Sequence, residues 1–302
     1  MADWTDILRE IQSTRGDFDG VRRKYLKQLS IYTGRNTIIY YSGWLQKPGP
    51  YPLGINDLDK NAFMATIRGL DRSKGLDLIL HTPGGEVAAT ESIIDYLCQM
   101  FLDIRVIVPQ LAMSGGTMIA CSADSIVMGK QSSLGPIDPQ VPTPFGQVPA
   151  HALIEEFEKA YKEIKRDQIA ILVWQPILSK YIPTLHGECQ KAMKWAEEIV
   201  TERLKQRMLR NLSTEEMKNV LENIMRELGN HSVSLSHSRH LSVQKCKDIG
   251  LNIYNLEEDQ KLQDLVLSVH HATMHTLSST LAFKITENQK KSAVIQAVPV
   301  RE

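Results

Sequence analysis

Two glycine-rich turns constrain the fold of this 302-residue chain more than any other feature. The first turn reads HTPGG (81–85) and follows the apolar run 76–80; the second reads AMSGGT (112–117) and follows the run 104–108. A stretch with helical periodicity, 86–101, lies between them. Continuous apolar runs indicate strands covered on both faces, and helical crossovers between them imply parallel pairing with right-handed connections. The pattern predicts an α/β fold whose chemistry lies where strands lead into helices.

The rest of the chain extends this core at both ends. We predict an N-terminal helical extension over 1–35, an α/β domain over 36–256, and a C-terminal helix and tail over 257–302. The last helix should end near Lys284, and the polar residues from Glu287 onward should form a tail or an oligomer arm. The other predicted strands are 36–42, 125–128 and 251–254, and the other predicted helices are two within 4–30 followed by 57–67, 150–165, 169–181, 188–211 and 214–228.

Composition and charge argue against several classes of protein. The chain carries 35 basic and 35 acidic residues, so no global field attracts nucleic acid. Its cysteines, Cys98, Cys121, Cys189 and Cys246, form no C-x-x-C pair, which favours reduced thiols over a zinc site or a disulfide framework. The longest apolar stretch, 104–112, is shorter than the ~20 residues that span a bilayer, and the start of the chain lacks the apolar core of a secretory signal. We expect a cytoplasmic protein without a membrane span.

The second glycine turn places Ser114 directly before two glycines. A serine on a tight turn at the end of a strand exposes its hydroxyl, and neighbouring glycines let backbone N–H groups approach a reacting carbonyl. Two such turns together can form an oxyanion hole, whose donors lie about 3 Å from the developing negative oxygen. Either turn alone is typical of an ordinary strand-to-helix connection, but the pair in this order indicates a serine nucleophile.

Four longer segments carry a resemblance to a known family. They read HTPGGEVAATESIIDYL (81–97), VPQLAMSGGTMIACSADSIVMGK (108–130), SSLGPIDPQ (132–140) and SHSRHLSVQKCKDIGL (236–251). On these segments the chain resembles the Clp protease, signal peptide peptidase and crotonase superfamily, and within it most closely the serine dehydrogenase proteinases. The resemblance implies an α/β fold, a Clp/crotonase-type β-β-α spiral with a mainly parallel sheet, with added helices at both ends.

The resemblance also implies three catalytic roles by position. Ser114 corresponds to the nucleophile, and the backbone N–H groups of Gly85 and Gly115 correspond to the oxyanion donors. The identity of the general base stays open. Clp-type enzymes carry a histidine about twenty-five residues after the serine, and the corresponding segment here, LGPID (134–138), contains none. Asp138 in that segment could orient a histidine elsewhere, although Asp-Pro is also a common turn initiator.

Two histidines compete for the role of general base. His151 stands where membrane-associated relatives place a lysine, near the start of a helix, and it ranks first. His237 precedes the helix LSVQKCKDIGL, close to where Clp-type relatives carry the third triad residue. It would then either orient the base or be the base itself. A structural role in that turn agrees with the sequence about as well. We expect His151→Ala to be the more severe substitution. Three lysines rank below both histidines as candidates for the general base, namely Lys159, Lys162 and Lys165. They lie among glutamates at one-turn spacing, which is typical of a solvated helix face.

The remaining histidines carry weaker signals. His81 precedes the first glycine turn, where its ring could cap the strand or line the cleft. His270, His271 and His275 lie on one predicted helix, but no carboxylate accompanies them as in an H-E-x-x-H zinc site. We therefore predict a polar helix face there rather than a metal site.

Three functions are consistent with this pattern. The first is a serine peptidase acting on peptide or protein substrates, without a cofactor; no P-loop occurs, so any nucleotide dependence would come from a regulatory partner protein. The second is acyl-coenzyme A chemistry, which uses the same paired donors but no serine nucleophile, so Ser114 argues against it. The third is a non-catalytic scaffold, which the missing Clp-type histidine keeps open. Relatives of this spiral fold assemble into rings or dimers, so we expect a homo-oligomer.

Overall fold

The computed structural model describes residues 3–47, 49–143, 146–229 and 236–299. Its strands are β1 (Asn36–Ser42), β2 (Leu76–His81), β3 (Ile104–Val108), β4 (Leu111–Ala112), β5 (Ser125–Met128), β6 (Ser133–Leu134), β7 (Gln140–Thr143), β8 (Gly146–Pro149), β9 (Leu241–Ser242), β10 (Ile253–Asn255), β11 (Ala282–Asn288) and β12 (Ala293–Ala297). Its α-helices are α1 (Trp4–Ser13), α2 (Phe18–Thr33), α3 (Asp57–Ile67), α4 (Val87–Met100), α5 (Gly115–Cys121), α6 (Ala150–Arg166), α7 (Ile171–Leu178), α8 (Leu185–Gln206), α9 (Thr214–Leu228), α10 (Val243–Asp248) and α11 (Gln260–Ser279).

A seven-stranded sheet in the order β10-β5-β3-β2-β1-β11-β12 forms the centre of the molecule. The five strands from β10 to β1 pair in parallel, and β11 and β12 add to β1 as antiparallel strands. The predicted α/β class with a mainly parallel sheet is therefore confirmed. Two smaller sheets, β4-β6-β9 and the β7–β8 hairpin, lie beside it.

Both faces of the central sheet are covered, which explains the continuous apolar runs. Along β1, Ile38 and Tyr40 join the larger core, which contains residues of α3, α4, α5, α8 and α9. Ile39 and Tyr41 point the other way, into a second core with residues of α2 and α11. Successive side chains of a strand alternate between faces, so every residue of β1 is buried on one side or the other.

The secondary structure predicted for the C-terminal residues is wrong. The last helix ends at Ser279 rather than near Lys284, and β11 and β12 follow as strands of the central sheet where a polar tail was expected. Three polar residues of β11 are buried with a hydrogen-bonding partner. Lys284 pairs with Asp59, Glu287 pairs with Arg22, and Asn288 donates to the carbonyl of Thr66. Paired polar groups tolerate burial, so polarity alone did not reveal a strand here.

The added helices lie on different sides of the sheet. At the N-terminus α2 packs against α11, and α1 joins them. After the β7–β8 hairpin, α6 and α8 pack together, and α8 and α9 contribute to the larger core. No helix within the described ranges is both long and apolar enough to cross a bilayer.

Candidate active site

The two glycine turns touch each other at the carboxyl ends of neighbouring strands. The N–H of Met113 donates to the carbonyl of Thr82 at 3.0 Å, which joins the chain after β4 to the chain after β2. Gly84 has a φ of +92°, and a Cβ atom there would lie 2.6 Å from the Cβ of Ser114 and 2.8 Å from the amide nitrogen of Gly115. Only glycine fits this position, for reasons of both conformation and space. The predicted juxtaposition of the turns is present in the structure.

Ser114 has a backbone conformation that L-residues rarely adopt. Its φ is 51° and its ψ is −115°, and it is the N-cap of the short helix α5. Such strained residues cost about 1–3 kcal/mol and concentrate at functional sites. A strained serine between a strand and a helix is also the geometry of a nucleophile elbow, which presents the hydroxyl at the end of the sheet.

A short extended segment around Ile55 holds the first turn in place. The N–H of Ile55 donates to the carbonyl of Gly84 at 2.7 Å, and the N–H of Glu86 donates to the carbonyl of Ile55 at 2.9 Å. Ile55 thus forms a parallel bridge with Gly85. A Cβ atom on Gly85 would lie within 3.0 Å of the Ile55 backbone, closer than real Cβ atoms come. The segment therefore requires glycine at position 85.

Two backbone N–H groups beside Ser114 are available as donors. In the described part of the chain, no hydrogen bond uses the N–H of Gly85 or that of Gly115, whereas the N–H of Gly116 donates to Met113. Gly115 is buried, and a buried N–H group normally has an acceptor. Gly115 is the first residue of α5, and the first N–H groups of a helix have no acceptor within it, so this donor is open to an external acceptor.

His237 and Asp138 form a hydrogen-bonded pair across 99 positions of sequence. The Nδ1 atom of His237 lies 2.9 Å from Oδ1 of Asp138, whose side chain is 1% exposed. A carboxylate on Nδ1 fixes the ring orientation and leaves Nε2 free to exchange a proton. The sequence named Asp138 as a residue that could orient a histidine, but it did not say which histidine.

One cleft of about 620 Å³ is lined by both Ser114 and His237. Ile55 and Gly85 form part of one wall, and residues of the β7–β8 hairpin, such as Gln140, form part of another. The cleft therefore brings the predicted nucleophile, one predicted oxyanion donor and the His237 imidazole to a single space. Such a concave site with convergent polar groups is typical of enzymes.

His151 lies in a different place from Ser114. It lines an adjoining cavity of about 410 Å³, which shares Ile137 and Pro139 with the Ser114 cleft. Its Nδ1 atom lies 3.4 Å from Oε1 of Glu155 on the same helix. His151 is not among the residues that line the Ser114 cleft. Of the two histidines, His237 therefore lines the Ser114 cleft and His151 does not. On the same helix, exposed Lys159 and Lys162 lie within 4.0 Å of glutamates, as on a solvated face.

A cluster of buried histidines lies on the other side of the sheet from the cleft. The ring of His81 packs 4.3 Å from that of Trp44, and Nδ1 of His270 lies 3.1 Å from the hydroxyl of Tyr41. The predicted polar helix face is wrong, because His270 and His275 are buried. Burial lowers the pKa of His81 to about 3, against a smaller opposing effect of the Leu111 carbonyl. Burial also holds the pKa of His270 well below its usual range, and the neighbouring histidines lower it further.

His81 and His270 should make the fold sensitive to acid. They are neutral in the folded protein, whereas in the unfolded chain each binds a proton below about pH 6.5, so the free energy of unfolding falls as the pH is lowered. Between pH 7.5 and 5.0, His81 alone should account for about 2 kcal/mol of that loss. Urea denaturation at the two pH values should show His81→Phe losing about 2 kcal/mol less than wild type. The exposed His240→Gln is the control, and an unchanged pH difference in His81→Phe would contradict the expectation.

Comparisons with known proteins identify the family of this chain. A family model described as ClpP-like SDH-type serine proteinase matches residues 52–292, a range that includes Ser114, Asp138 and His237. Two uncharacterized proteins of Methanocaldococcus jannaschii are similar in sequence. The first is 31% identical over 234 residues, which are 78% of this chain and 70% of the relative. The second is 32% identical over 195 residues, which are 65% of this chain and 59% of the relative.

Among solved structures, a ClpP1 mutant from Listeria monocytogenes aligns with 75% of this chain and 93% of its own, at 13% sequence identity and a TM-score of 0.37.

The sequence motifs had identified Ser114 and both glycine turns. They had not identified the contribution of Ile55, which lies in a loop without a recognisable pattern, or the pairing of Asp138 with His237.

Proposed function

The chain belongs to the family of ClpP-like SDH-type serine proteinases, and on that premise we propose that it hydrolyses peptide bonds through an acyl-enzyme on Ser114, with His237 as general base. The observation that carries the proposal is the pair formed by His237 and the buried Asp138 in the cleft that Ser114 lines. A serine hydroxyl needs such a partner, because it is a weak nucleophile until a base takes its proton.

In the proposed reaction, the Oγ atom of Ser114 attacks the carbonyl carbon of a peptide bond while Nε2 of His237 takes the hydroxyl proton. Asp138 accepts a hydrogen bond from Nδ1–H and stabilises the imidazolium. The N–H groups of Gly85 and Gly115 donate to the negative oxygen of the tetrahedral intermediate. The C–N bond then breaks, and the leaving amine receives the proton from Nε2.

Deacylation repeats these steps with water as the nucleophile. His237 takes a proton from the water, the hydroxide adds to the acyl carbonyl, and the C–O bond to Ser114 breaks as the proton returns to Oγ. Each proton in this sequence moves between the chain, the substrate and water. The proposed reaction is therefore independent of ATP and of any cofactor.

Ser114→Ala tests the proposal. Hydrolysis of an unfolded protein such as reduced casein should fall by about a thousandfold or more, because the nucleophile is gone. The melting temperature should stay within a few degrees of wild type, since the side chain is small, incompletely buried and makes no hydrogen bond with a described residue. Unchanged turnover would show that another group is the nucleophile. A wild-type protein that hydrolyses no peptide would favour the scaffold hypothesis.

A further inference from the structure

A buried lysine lies behind the cleft. The side chain of Lys284, on β11, is 1% exposed. Its Nζ atom donates to Oδ2 of Asp59 at 2.9 Å and to the carbonyl of Gly54 at 2.8 Å, and Asp59 is itself fully buried. Burial lowers the pKa of the Lys284 ammonium, and the nearby Asp59 opposes that effect. Lysine is rarely this buried, because removing a charge from water costs free energy.

The Lys284–Asp59 pair forms hydrogen bonds with the backbone on both sides of Ile55. Lys284 holds the carbonyl of Gly54, and Oδ2 of Asp59 accepts a hydrogen bond from the N–H of Asn56 at 3.0 Å. The hydroxyl of Tyr40, on β1, donates to the same carboxylate oxygen at 2.8 Å. The segment 54–56 is thus anchored from the residue before Ile55 and from the residue after it.

Ile55 in turn determines where the first glycine turn lies. Its N–H and carbonyl both pair with the chain around Gly85, as described above. Gly54 also approaches closely, since a Cβ atom there would lie 3.3 Å from the Cα of Gly85. Displacement of segment 54–56 would therefore displace the Gly85 N–H group, and an oxyanion donor misplaced by about 1 Å loses much of its effect.

We propose that Lys284 and Asp59 are positioning residues for the oxyanion hole, acting through the segment 54–56 on the N–H of Gly85. This inference rests on the proposed function. A merely stabilising role does not require charge, because apolar residues of similar volume often stabilise a fold as well as a buried ion pair does, or better. Charge-assisted hydrogen bonds add direction, which is what holding one carbonyl and one N–H in fixed places requires.

A second buried ion pair on the same strand provides a matched control. Nε of Arg22 lies 2.7 Å from Oε2 of Glu287, and both side chains are fully buried. Glu287 is three residues after Lys284, so it points to the opposite face of the sheet, towards α2 and α11. Neither member of this pair lines the Ser114 cleft. Arg22→Met and Lys284→Met therefore each remove a buried cation from a buried carboxylate, on opposite faces of β11, and Glu287 keeps a second partner in Arg23.

The experiment compares the two variants at a temperature well below the melting temperature of either. It measures the rate at which a fluorophosphonate labels Ser114, and kcat and KM for peptide hydrolysis. Lys284→Met should label at least about tenfold more slowly than wild type, with a similar loss in kcat and a KM within about threefold. Arg22→Met should lower the melting temperature but keep labelling and kcat within about twofold. Wild-type labelling by Lys284→Met, or equal losses in both variants, would overturn the inference.

A double variant separates positioning from stability. Lys284→Met with Asp59→Asn removes both charges but keeps an oxygen that accepts from Tyr40 and Asn56, so the melting temperature should recover relative to Lys284→Met, which leaves a buried carboxylate without its cation, while labelling stays slow. Wild-type labelling in the double variant would overturn the inference, and the two single variants decide the question if the double variant does not fold. Failure of the proposed function looks different, because the wild type would then not label, or Ser114→Ala would still hydrolyse peptides.

Discussion

His237→Ala should slow peptide hydrolysis by about a thousandfold or more, whereas His151→Ala should keep it within about threefold of wild type. The reason is geometric. His237 lines the cleft of Ser114 with its Nδ1 atom on the Asp138 carboxylate, while His151 lines another cavity beside Glu155. Steady-state kinetics on both variants, with melting temperatures to exclude unfolding, measure the difference.

The order of these two effects reverses the ranking that the sequence favoured. Asp138→Asn should fall between them, because it leaves the base in place but removes the carboxylate that orients it and stabilises its charged form. A severe loss in His151→Ala together with full activity in His237→Ala would show that the base comes from α6.

Gly85→Ala should inactivate the protein and destabilise it. The added Cβ atom would meet the backbone of Ile55, which cannot move without releasing its hydrogen bonds to Gly84 and Glu86. We expect a loss of roughly 2 kcal/mol or more in the free energy of unfolding, and at least about a hundredfold loss in kcat because the N–H donor at position 85 shifts.

Gly187→Ala is the control for this substitution. Gly187 lies within α8, and a Cβ atom there has nothing within 4 Å, so alanine should keep kcat unchanged and raise stability slightly. Chemical denaturation and hydrolysis rates provide both measurements. Full activity in Gly85→Ala would remove Gly85 from the oxyanion hole.

The sequence predicted the central parallel strands well because their signal is local. The ranges 36–42, 104–108 and 125–128 were predicted as strands, and β1, β3 and β5 have the same bounds. Each is a short, mainly apolar run bounded by polar, glycine or proline residues, which is how a strand buried on both faces appears in sequence. The two-residue strands β4, β6 and β9 were missed, since two residues carry no periodicity.

The C-terminal strands were missed for a different reason. In β11, the charges of Lys284 and Glu287 led us to expect exposed side chains. Each side chain is instead buried against an opposite charge more than 200 positions away in the sequence. Nothing in the local sequence indicates a partner so distant. The same limit applied to the candidate site, where both His237 and Asp138 were named but their hydrogen bond depends on tertiary contacts.

The most direct measurement of the central claim is peptide mapping by mass spectrometry after reaction with a fluorophosphonate. The serine Oγ attacks phosphorus and fluoride leaves, so the phosphonyl group stays on the serine whose proton a base removes. We predict a single adduct on the peptide that contains Ser114, absent in Ser114→Ala, slow to form in His237→Ala and formed at the wild-type rate in His151→Ala. An adduct on another residue, or peptide hydrolysis by a protein that forms no adduct at Ser114, would contradict the account.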